Sequence, residues 1–267
     1  MKWRAFTLVE LLVVIGIIII LIAIVIPSLT MVRESARTTR CSSNMRTINL
    51  CLVNYDLKNQ NFPYAFFEGR NASSPPGGFL GNLAYDNLGL WWINYITDLT
   101  SNYLDNSSAL WCPSRRVKAD SFKRNILVGN YGVNQAICKS RFIDEQQNEF
   151  TGSPLSSTDI KFPARTFLIV DSGYATINWH YVTDSPPIPL SESMQDFTYI
   201  PGLSINRNRT FRSELKDDAI KGRHSSKTVN IGFVDGHNEK KKAEDLFIEK
   251  TNEGYNNLKP LWIPQKE

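Results

Sequence analysis

The chain has 267 residues, of which 42% are hydrophobic and 21% charged, and its formal net charge is +4. This composition is typical of an ordinary globular protein with one or two domains. Basic and acidic residues number 30 and 26, a balance too even for a nucleic-acid-binding footprint, so we expect no nucleic-acid partner. The three lysines at 240–242 are interpreted as the solvated flank of a hairpin.

The N-terminal segment is strongly apolar. Residues 11–26 are all apolar, and extending the segment back to residue 6 adds a single charge, that of Glu10. As a helix, this segment spans about 30 Å, the thickness of the hydrocarbon core of a bilayer. It is apolar on every side, so it offers no single face to a soluble core. The segment therefore predicts one membrane-spanning helix.

A cleaved secretory signal is the alternative interpretation, with Lys2 and Arg4 as its basic region. Residues 24–27, at the end of the apolar run, contain no pair of small residues at signal-peptidase spacing. The apolar core of a secretory signal also has no use for the carboxylate of Glu10. We therefore favour a retained membrane anchor.

Residues 4–12 read Arg-Ala-Phe-Thr-Leu-Val-Glu-Leu-Leu and follow a short basic leader. This stretch resembles the N-terminal signal shared by type IV pilins and type II secretion pseudopilins. The resemblance implies that a membrane-embedded prepilin peptidase cuts between Ala5 and Phe6 and methylates the new amine of Phe6. The usual residue before the cut is glycine, and Ala5 is a small substitute. The resemblance also implies a single-pass protein of the bacterial inner membrane. Its N-terminus would be cytoplasmic, and its C-terminal domain would lie in the periplasm or in an extracellular filament.

Glu10 is the one charge inside the apolar run. A carboxylate in hydrocarbon costs on the order of 2.5 to 3.5 kcal/mol on insertion scales, so we expect it to have a partner. Cleavage would create an α-amine on Phe6, and pairing of Glu10 with that amine in a neighbouring subunit would set the register of a filament. Alternatively, Glu10 lies at the headgroup boundary and interacts with the positive end of the helix.

The helix is expected to continue beyond the membrane. Apolar residues recur at spacings of four and three from Cys41 to Tyr55, which indicates one stripe of an amphipathic helix. The predicted helix covers residues 6–58, about 80 Å, with a kink expected at Pro27. The chain is thus divided into a leader (1–5), a transmembrane and assembly helix (6–27), a stem helix (28–60) and a globular head (61–267).

The head is expected to contain an antiparallel sheet on which the stem helix packs. Residues 166–170, 176–182 and 228–234 have the β-branched and aromatic content of strands. Asp235-Gly236 is a type I′ hairpin signal. The predicted fold class is α+β, with a long N-terminal helix on an antiparallel sheet, as in pilins.

Three further segments of the head are expected to be irregular or short. Residues 61–90 are rich in Asn, Gly, Pro and Ser and predict a surface loop. Residues 91–104 predict a short aromatic helix. Residues 185–212 lack periodicity and predict a long excursion over the surface.

Five short motifs follow one another along the chain. They are the segments 41–46, 111–114, 131–134, 162–171 and 223–237. Their succession is similar to that of large G-type pseudopilin-like proteins that carry a C-terminal His…Asp-Gly signature. Ten residues separate His224 from Asp235 here, one more than is usual, which favours a bulge or a shifted histidine. The similarity implies a pilin-like architecture.

Asp171, His224, Asp235 and His237 are weak candidates for a cation site, because G-type pseudopilins often hold calcium in a C-terminal loop. Histidine is a poor calcium ligand, and the sequence has no Asp-x-Asp run. We therefore expect no metal or cofactor, with calcium as the alternative. The sequence also lacks a nucleophile elbow, a P-loop, a zinc-protease motif and a C-x-x-C pair, so we do not expect an enzyme.

Four cysteines in an exported domain suggest disulfides. Cys41 and Cys51 lie on one helix about 15 Å apart and cannot join. A Cys41–Cys112 bond would link the stem to the head, and a Cys112–Cys138 bond would close a loop within the head. Free buried thiols are a third alternative, and Cys41–Cys112 is our preferred pair.

Two functions compete at this point. The first is a structural subunit that polymerises through its N-terminal helix into a pseudopilus or pilus and supports type II protein secretion. Its partners would be the prepilin peptidase and methylase, other pilin-like subunits and the inner-membrane assembly platform. The second is a membrane-anchored binding module that captures a glycan or polymer. Exposed aromatic residues would serve it, with Trp91, Trp92, Trp179 and Tyr181 as candidates, although burial in a core explains most of them. We favour the first.

Overall fold

The computed structural model describes residues 7–68, 89–96, 109–118, 122–123, 125–142, 147–190, 194–257 and 260–265. Its first element, α1 (Leu8–Asn59), is one helix of 52 residues, about 78 Å long. The helix begins after Thr7 and ends at Gln60, which adopts a left-handed conformation with φ of 61°. The predicted long helix is therefore confirmed from Leu8 onwards. The assignment is unbroken at Pro27, and the kink expected there stays a prediction.

The second half of α1 buries the stripe predicted from the sequence. Cys41, Met45, Ile48 and Leu52 have no exposed surface. Tyr55, at the end of the stripe, is half-buried and packs edge-to-face on Tyr95, with ring centroids 5.8 Å apart. The spacing of apolar residues thus correctly identified the face of the stem that packs on the head.

The head is built on a five-stranded sheet with the strand order β5-β3-β4-β6-β7. The strands are β3 (Tyr131–Asn134), β4 (Phe167–Asp171), β5 (Thr176–Ile177), β6 (Thr228–Phe233) and β7 (Asn238–Lys242). Neighbouring strands are antiparallel except β3 and β5, which are parallel. The predicted α+β class is confirmed, and the sheet is mixed at one edge because β5 returns alongside β3.

Smaller elements surround this sheet. Two strand pairs are β1 (Phe66–Glu68) with β2 (Gly89–Trp91), and β8 (Lys250–Thr251) with β9 (Gly254–Tyr255). Two short helices are α2 (Trp92–Ile96) and α3 (Lys216–Lys221). Short 3-10 helices cover Ser157–Asp159, Trp179–Val182, Ser204–Asn208, Ser225–Lys227 and Ala243–Leu246.

The helix approaches the sheet most closely at Gly232 in β6. A side chain there would meet the Cγ atom of Asn49 at 2.7 Å, so only glycine lets α1 lie this near the strand. The amide of Asn49 donates to the carbonyl oxygens of Phe233 and His237 at 3.1 and 3.2 Å. One buried side chain of the helix therefore holds the end of the β6–β7 hairpin.

The hairpin is confirmed, but the predicted turn type is wrong. The N–H of Phe233 donates to the carbonyl of His237 at 2.9 Å, and the N–H of Gly236 donates back to the carbonyl of Phe233 at 3.0 Å. Of the turn residues, Gly236 alone has a positive φ, of 90°. A type I′ turn needs two such residues, so this is the three-residue loop in which glycine takes the left-handed position.

The strand predicted for residues 176–182 is also corrected. Only Thr176 and Ile177 form β5. The side chain of Asn178 then accepts a hydrogen bond from the N–H of His180 and starts the 3-10 helix Trp179–Val182. The capping side chain immediately after Ile177 ended the strand, because it offered the backbone a local alternative to the sheet ladder.

The segment predicted as a surface excursion is irregular but partly buried. Phe197, Tyr199, Ile200 and Leu203 are at most 1% exposed. The guanidinium of Arg209 donates to the carbonyl oxygens of residues 195 and 198, which holds the segment in place beside its short 3-10 helix, Ser204–Asn208. The loop predicted for residues 61–90 likewise begins with buried residues and contains β1, and its residues 69–88 lie outside the described part. Residues 97–104, which belong to the predicted aromatic helix, also lie outside the described part.

A fully buried ion pair joins these irregular segments to the sheet. Arg223 donates to the carboxylate of Asp218, on α3, with N–O distances of 2.8 to 3.1 Å. It also donates to the carbonyl oxygens of Asn130 and Ser172, beside β3 and β4, at 2.5 and 2.6 Å. The hydroxyl of Tyr199 donates to the same carboxylate at 3.0 Å. Four parts of the chain thus meet at one charge pair.

Replacing Asp218 with asparagine should destabilise the head strongly. Asp218→Asn leaves the buried guanidinium of Arg223 without its counter-charge, and we expect the free energy of unfolding to fall by about 3 to 5 kcal/mol. Chemical denaturation of the full chain in detergent, followed by tryptophan fluorescence, would measure this.

The neighbouring Asp217 supplies the matched control. Its carboxylate pairs with Lys118 and Lys221 at the surface, at 2.6 and 2.9 Å. Asp217→Asn should leave the free energy of unfolding nearly unchanged, because exposed ion pairs contribute little. Similar losses in the two variants would contradict a central role for the buried pair.

Candidate functional site

The first half of α1 packs on no other described residue of the chain. Every large apolar side chain from Leu8 to Val32 is between 43% and 79% exposed. α1 is the helix in the described part of the chain that is long and apolar enough to cross a membrane. An apolar surface of this extent needs lipid or other protein around it. The protein therefore divides into an unpartnered apolar rod and a head packed on the same helix.

Glu10 lies in the first turn of this rod and forms a capping box with Thr7. Its carboxylate accepts from the N–H and the hydroxyl of Thr7 at 2.9 and 2.8 Å, and the Thr7 hydroxyl accepts from the N–H of Glu10 at 3.2 Å. Both groups that donate to the Glu10 carboxylate belong to Thr7, at the N-terminal end of the same helix. Ala5 and Phe6 lie outside the described residues, so the predicted cleavage site and the pairing of Glu10 with the Phe6 amine stay predictions.

A second candidate site lies where the stem meets the head. The sulfur atoms of Cys41, on α1, and Cys112 are 2.6 Å apart, and both residues are buried. Both cysteines are free in this structure. His224 lies beside them, and the ligand atoms of these three residues are all within 4.8 Å of one another. The fold brings these three residues together although Cys41 and Cys112 are 71 residues apart in the sequence, and Cys112 and His224 are 112 residues apart.

The ring of His224 connects the helix to the sheet. Its Nδ1 is 3.2 Å from the hydroxyl of Thr38 on α1. Its Nε2 is 3.2 Å from Oδ2 of Asp171 at the end of β4. The same oxygen accepts from the backbone N–H and the side-chain amide of Asn230 in β6, at 2.7 and 3.0 Å. Since Asp171 can only accept when ionised, Nε2 carries a proton.

Burial and charge act in opposite directions on this pair. Burial lowers the pKa of His224, but hydrogen bonds to Asp171 and Cys112 together with their charges raise it to about 10. Burial raises the pKa of Asp171, and the interactions with His224, Arg223 and Asn230 outweigh it, so that this pKa lies below its usual value. The physical result is a charged histidine–carboxylate pair with no exposed surface.

The four residues considered for a cation site are placed as two separate pairs. Asp235 and His237 lie together in the hairpin turn, with Nδ1 and Oδ1 2.5 Å apart, and the ring of His237 stacks on Phe233. That turn lies against Leu50, whereas His224 lies against Thr38. These two positions are about 18 Å apart along α1. The structure thus does not bring the four together.

The cysteine–histidine group has the residue types of a zinc site, but its geometry fits one poorly. Two sulfurs that each lie about 2.3 Å from one tetrahedral zinc ion are about 3.8 Å apart. The 2.6 Å found here is much shorter, so the two sulfurs are placed for contact with each other. The Asp171–His224 pair fits a hydrogen-bonded clasp between α1, β4 and β6 better than a ligand set.

The aromatic residues that motivated a binding module are not exposed. Trp91, Trp92, Trp179 and Tyr181 are between 1% and 7% exposed. The indole N–H of Trp92 donates to the carbonyl of Ala175 at 2.8 Å, in the interior. The alternative that a core explains these residues is therefore confirmed, because their side chains fill two apolar clusters of the head.

Sequence reasoning named Cys41, Cys112, Asp171 and His224 but assigned them to different sites. Nothing in their spacing indicates that they share one site, and Thr38 and Asn230 carried no signal at all. The pairing of Cys41 with Cys112, rather than Cys112 with Cys138, is favoured by their positions. Cys138 lies instead near Asp56, close to the other end of the stem. Burial raises the pKa of Cys138, and the carboxylate of Asp56 raises it further.

Comparison with known proteins adds one finding. A family model described as "Protein of unknown function (DUF1559)" matches residues 30–162, just under half of the chain. The match covers the stem half of α1 and the first part of the head, including both Cys41 and Cys112. No curated protein and no solved structure matches the chain.

The histidine–carboxylate pair should make stability depend on pH. His224→Gln removes the charged pair. We expect it to lower the free energy of unfolding by about 3 kcal/mol near pH 6, where the wild-type pair is fully charged. A pKa raised on folding stabilises most below the unfolded value of 6.5, and the effect disappears as pH rises through the folded value of about 10. The difference between wild type and variant should therefore shrink between those two values, in denaturation series run with reductant, so that Cys112 is a free thiol as in this structure, and kept above about pH 5 so that Asp171 stays ionised.

The other histidine of the C-terminal motif serves as the control. His237 lies in the hairpin turn, and its side chain is 36% exposed. His237→Gln should cost less than about 1 kcal/mol at every pH tested. The assignment would be wrong if both variants showed the same loss and the same pH trend.

Proposed function

We propose that the protein is a membrane-anchored, pilin-like structural subunit that assembles through α1 into a pseudopilus or pilus and supports type II protein secretion. In this proposal, a prepilin peptidase removes residues 1–5 and methylates Phe6. The chain then spans the bacterial inner membrane once, with its N-terminus in the cytoplasm and its head in the periplasm. Other pilin-like subunits and the inner-membrane assembly platform are its partners.

The observation that carries the proposal is the division of α1 into two halves of opposite burial. Its second half packs on the sheet through Cys41, Met45, Ile48 and Leu52, whereas the large apolar side chains up to Val32 remain exposed. A simple membrane anchor needs about 20 apolar residues, which residues 6–26 already supply. A rigid helix that joins this anchor to the head without a loop would keep the head at a fixed distance and orientation. A filament of identical subunits requires such a connection.

Glu10 supplies the second argument. In the isolated chain the carboxylate is satisfied locally by Thr7, but a capping box is a feature of helix ends at a polar surface. Once residues 1–5 are removed, Phe6 becomes the chain terminus and carries an amine four residues from Glu10. Transfer of the carboxylate from Thr7 to a neighbour's amine would place a salt bridge at each subunit contact. This exchange would offset the desolvation of both charges.

The first prediction from this proposal concerns processing. Mass spectrometry of the membrane-extracted protein, expressed in a cell that has the prepilin peptidase, should find N-methylated Phe6 as the first residue. Ala5→Leu should block the cut, because a bulky side chain replaces the small residue before it. An intact Met1 terminus in the wild-type protein would overturn the pilin-like maturation that the proposal requires.

The second prediction concerns assembly. Glu10→Val should leave membrane insertion and cleavage largely intact, because the segment becomes more apolar and the cut site is unchanged. It should strongly reduce incorporation into shear-released filaments and into the multimer ladder formed by in-cell cross-linking. The reason is that a subunit without the carboxylate cannot pair with its neighbour's amine.

Thr7→Ala separates this role from helix capping. The variant removes the hydrogen bond that the Thr7 hydroxyl donates to the Glu10 carboxylate and the one that it accepts from the Glu10 N–H, but retains the carboxylate. If Glu10 only caps the helix, the two variants should weaken assembly alike. If it pairs with a neighbour, Thr7→Ala should keep a near wild-type ladder. Equal ladders from wild type and Glu10→Val would count decisively against the pairing.

A further inference from the structure

Cys41 occupies a distinctive place on α1. It is the first residue of the helix, counted from the N-terminus, that is buried. The preceding residues are exposed or half-buried, and the stripe that packs on the head begins with Cys41. The sulfur of Cys41 therefore lies where the helix leaves the head.

We propose that Cys41 and Cys112 form a disulfide that fixes α1 to the head at this exit point. The bond links the stem covalently to a part of the head that is 71 residues away in sequence. Its formation does not depend on polymerisation. Its consequence for a pulled filament rests on the proposed function.

The backbone around both cysteines holds the two sulfurs together. The N–H of Cys112 donates to the side chain of Asn130 at 3.0 Å, and the preceding carbonyl, that of Trp111, accepts from the amide of Asn44 at 2.9 Å. Asn44 lies one helical turn after Cys41 on α1. Hydrogen bonds on either side thus fix the segment that carries Cys112 against the helix face that carries Cys41.

The position of the bond decides what it does. Force applied through the N-terminal half of α1 reaches the head at the hydrogen bond between Thr38 and His224 and, one turn later, at Cys41, the first buried residue. Without a covalent link, the later contacts through Asn44, Asn49 and Asp56 would break one after another as the helix peels from the sheet. With the bond at Cys41, peeling cannot pass beyond the contact of Thr38, because the covalent link is not broken by thermal motion.

The chemistry requires a named oxidant. The thiols of Cys41 and Cys112 give up two protons and two electrons to the disulfide of an oxidant, either a periplasmic dithiol oxidase or oxidised glutathione. The disulfide of the oxidant is thereby reduced to two thiols. The exchange passes through a mixed disulfide and needs access to one thiolate. Burial raises the pKa of Cys112 well above its usual value, an effect that Cys41 increases and a hydrogen bond from His224 opposes. Oxidation therefore takes place before the head has fully closed on the stem, and the finished bond is protected from reductants.

Peptide mapping tests the bond directly. The full-length protein is extracted in detergent without reductant, unfolded in the presence of an alkylating agent and digested. We expect one linked peptide pair that joins Cys41 to Cys112, with Cys51 and Cys138 alkylated. Alkylation of both Cys41 and Cys112, a link to Cys138, or one equivalent of zinc bound to reduced protein would each overturn the proposal.

Two double variants test the clamp at the exit point. Cys41→Ala/Cys112→Ala removes the pair, and Cys51→Ala/Cys138→Ala removes two other buried thiols as a matched control. The first should lower the Tm by about 10 °C and make the melting curve insensitive to reductant. The control should keep the difference between the curves with and without reductant.

Hydrogen exchange along α1 distinguishes a clamp from general stabilisation. In the first double variant, exchange over residues 41–48 should rise by on the order of tenfold or more, while the β4–β6 core changes less. Uniform acceleration over the whole head, or no acceleration at residues 41–48, would contradict the exit-point role. These results are independent of the multimer ladder, so a failed clamp and a failed assembly proposal can be told apart.

Discussion

The packing of the second half of α1 on β4 and β6 is the interaction on which the rest of the head depends. It requires a strand position without a side chain, Gly232, so that the amide of Asn49 can reach the hairpin end. Met45, Ile48 and Leu52 then fill the space between helix and sheet. Because a short mixed sheet with irregular edges buries little surface by itself, the long helix supplies much of its apolar core.

Beneath this contact lies an unusual density of buried charge. Asp171, His224, Asp218 and Arg223 are all at most 3% exposed. Each charge has a partner of opposite sign and hydrogen bonds to other parts of the chain, as buried charges require. Arg223 and His224 are neighbours in sequence, and they contact two different carboxylates. The dipeptide thus connects α1, β4, β6 and α3 at one point, in a head whose loops contain little regular structure.

The same helix has a different relation to its surroundings in its first half. The apolar side chains of that half have no partner among the described residues, and Trp91, Trp92, Trp179 and Tyr181 of the head are buried. In the part of the chain that the structure describes, the large exposed apolar surface is therefore on the rod. This distribution favours a protein that acts by packing its helix against lipid and other helices over one that captures ligands with its head. The proposed disulfide would make the boundary between these two halves the strongest connection in the molecule.

Local patterns in the sequence determined the elements that depend on neighbouring residues. The apolar run and the four-three spacing identified α1 and its buried face, and β-branched and aromatic content identified β4 and β6. The turn at Asp235-Gly236 was located but mistyped, because its type depends on how many residues the sheet register leaves between Phe233 and His237. Residue 178 ended a predicted strand through a side-chain cap that competed locally with the sheet.

The tertiary structure alone decided which distant residues meet. Cys41, Cys112, Asp171 and His224 come from a helix, a loop, a strand end and a turn, and their sequence spacing carries no information on their distance in space. The burial of Phe197 and Tyr199 in an aperiodic segment was likewise decided by the space left open beside β4. The physical reason is that hydrophobic periodicity records which side of an element faces the core. The partners on that side depend on how the elements pack, and packing is a property of the whole chain.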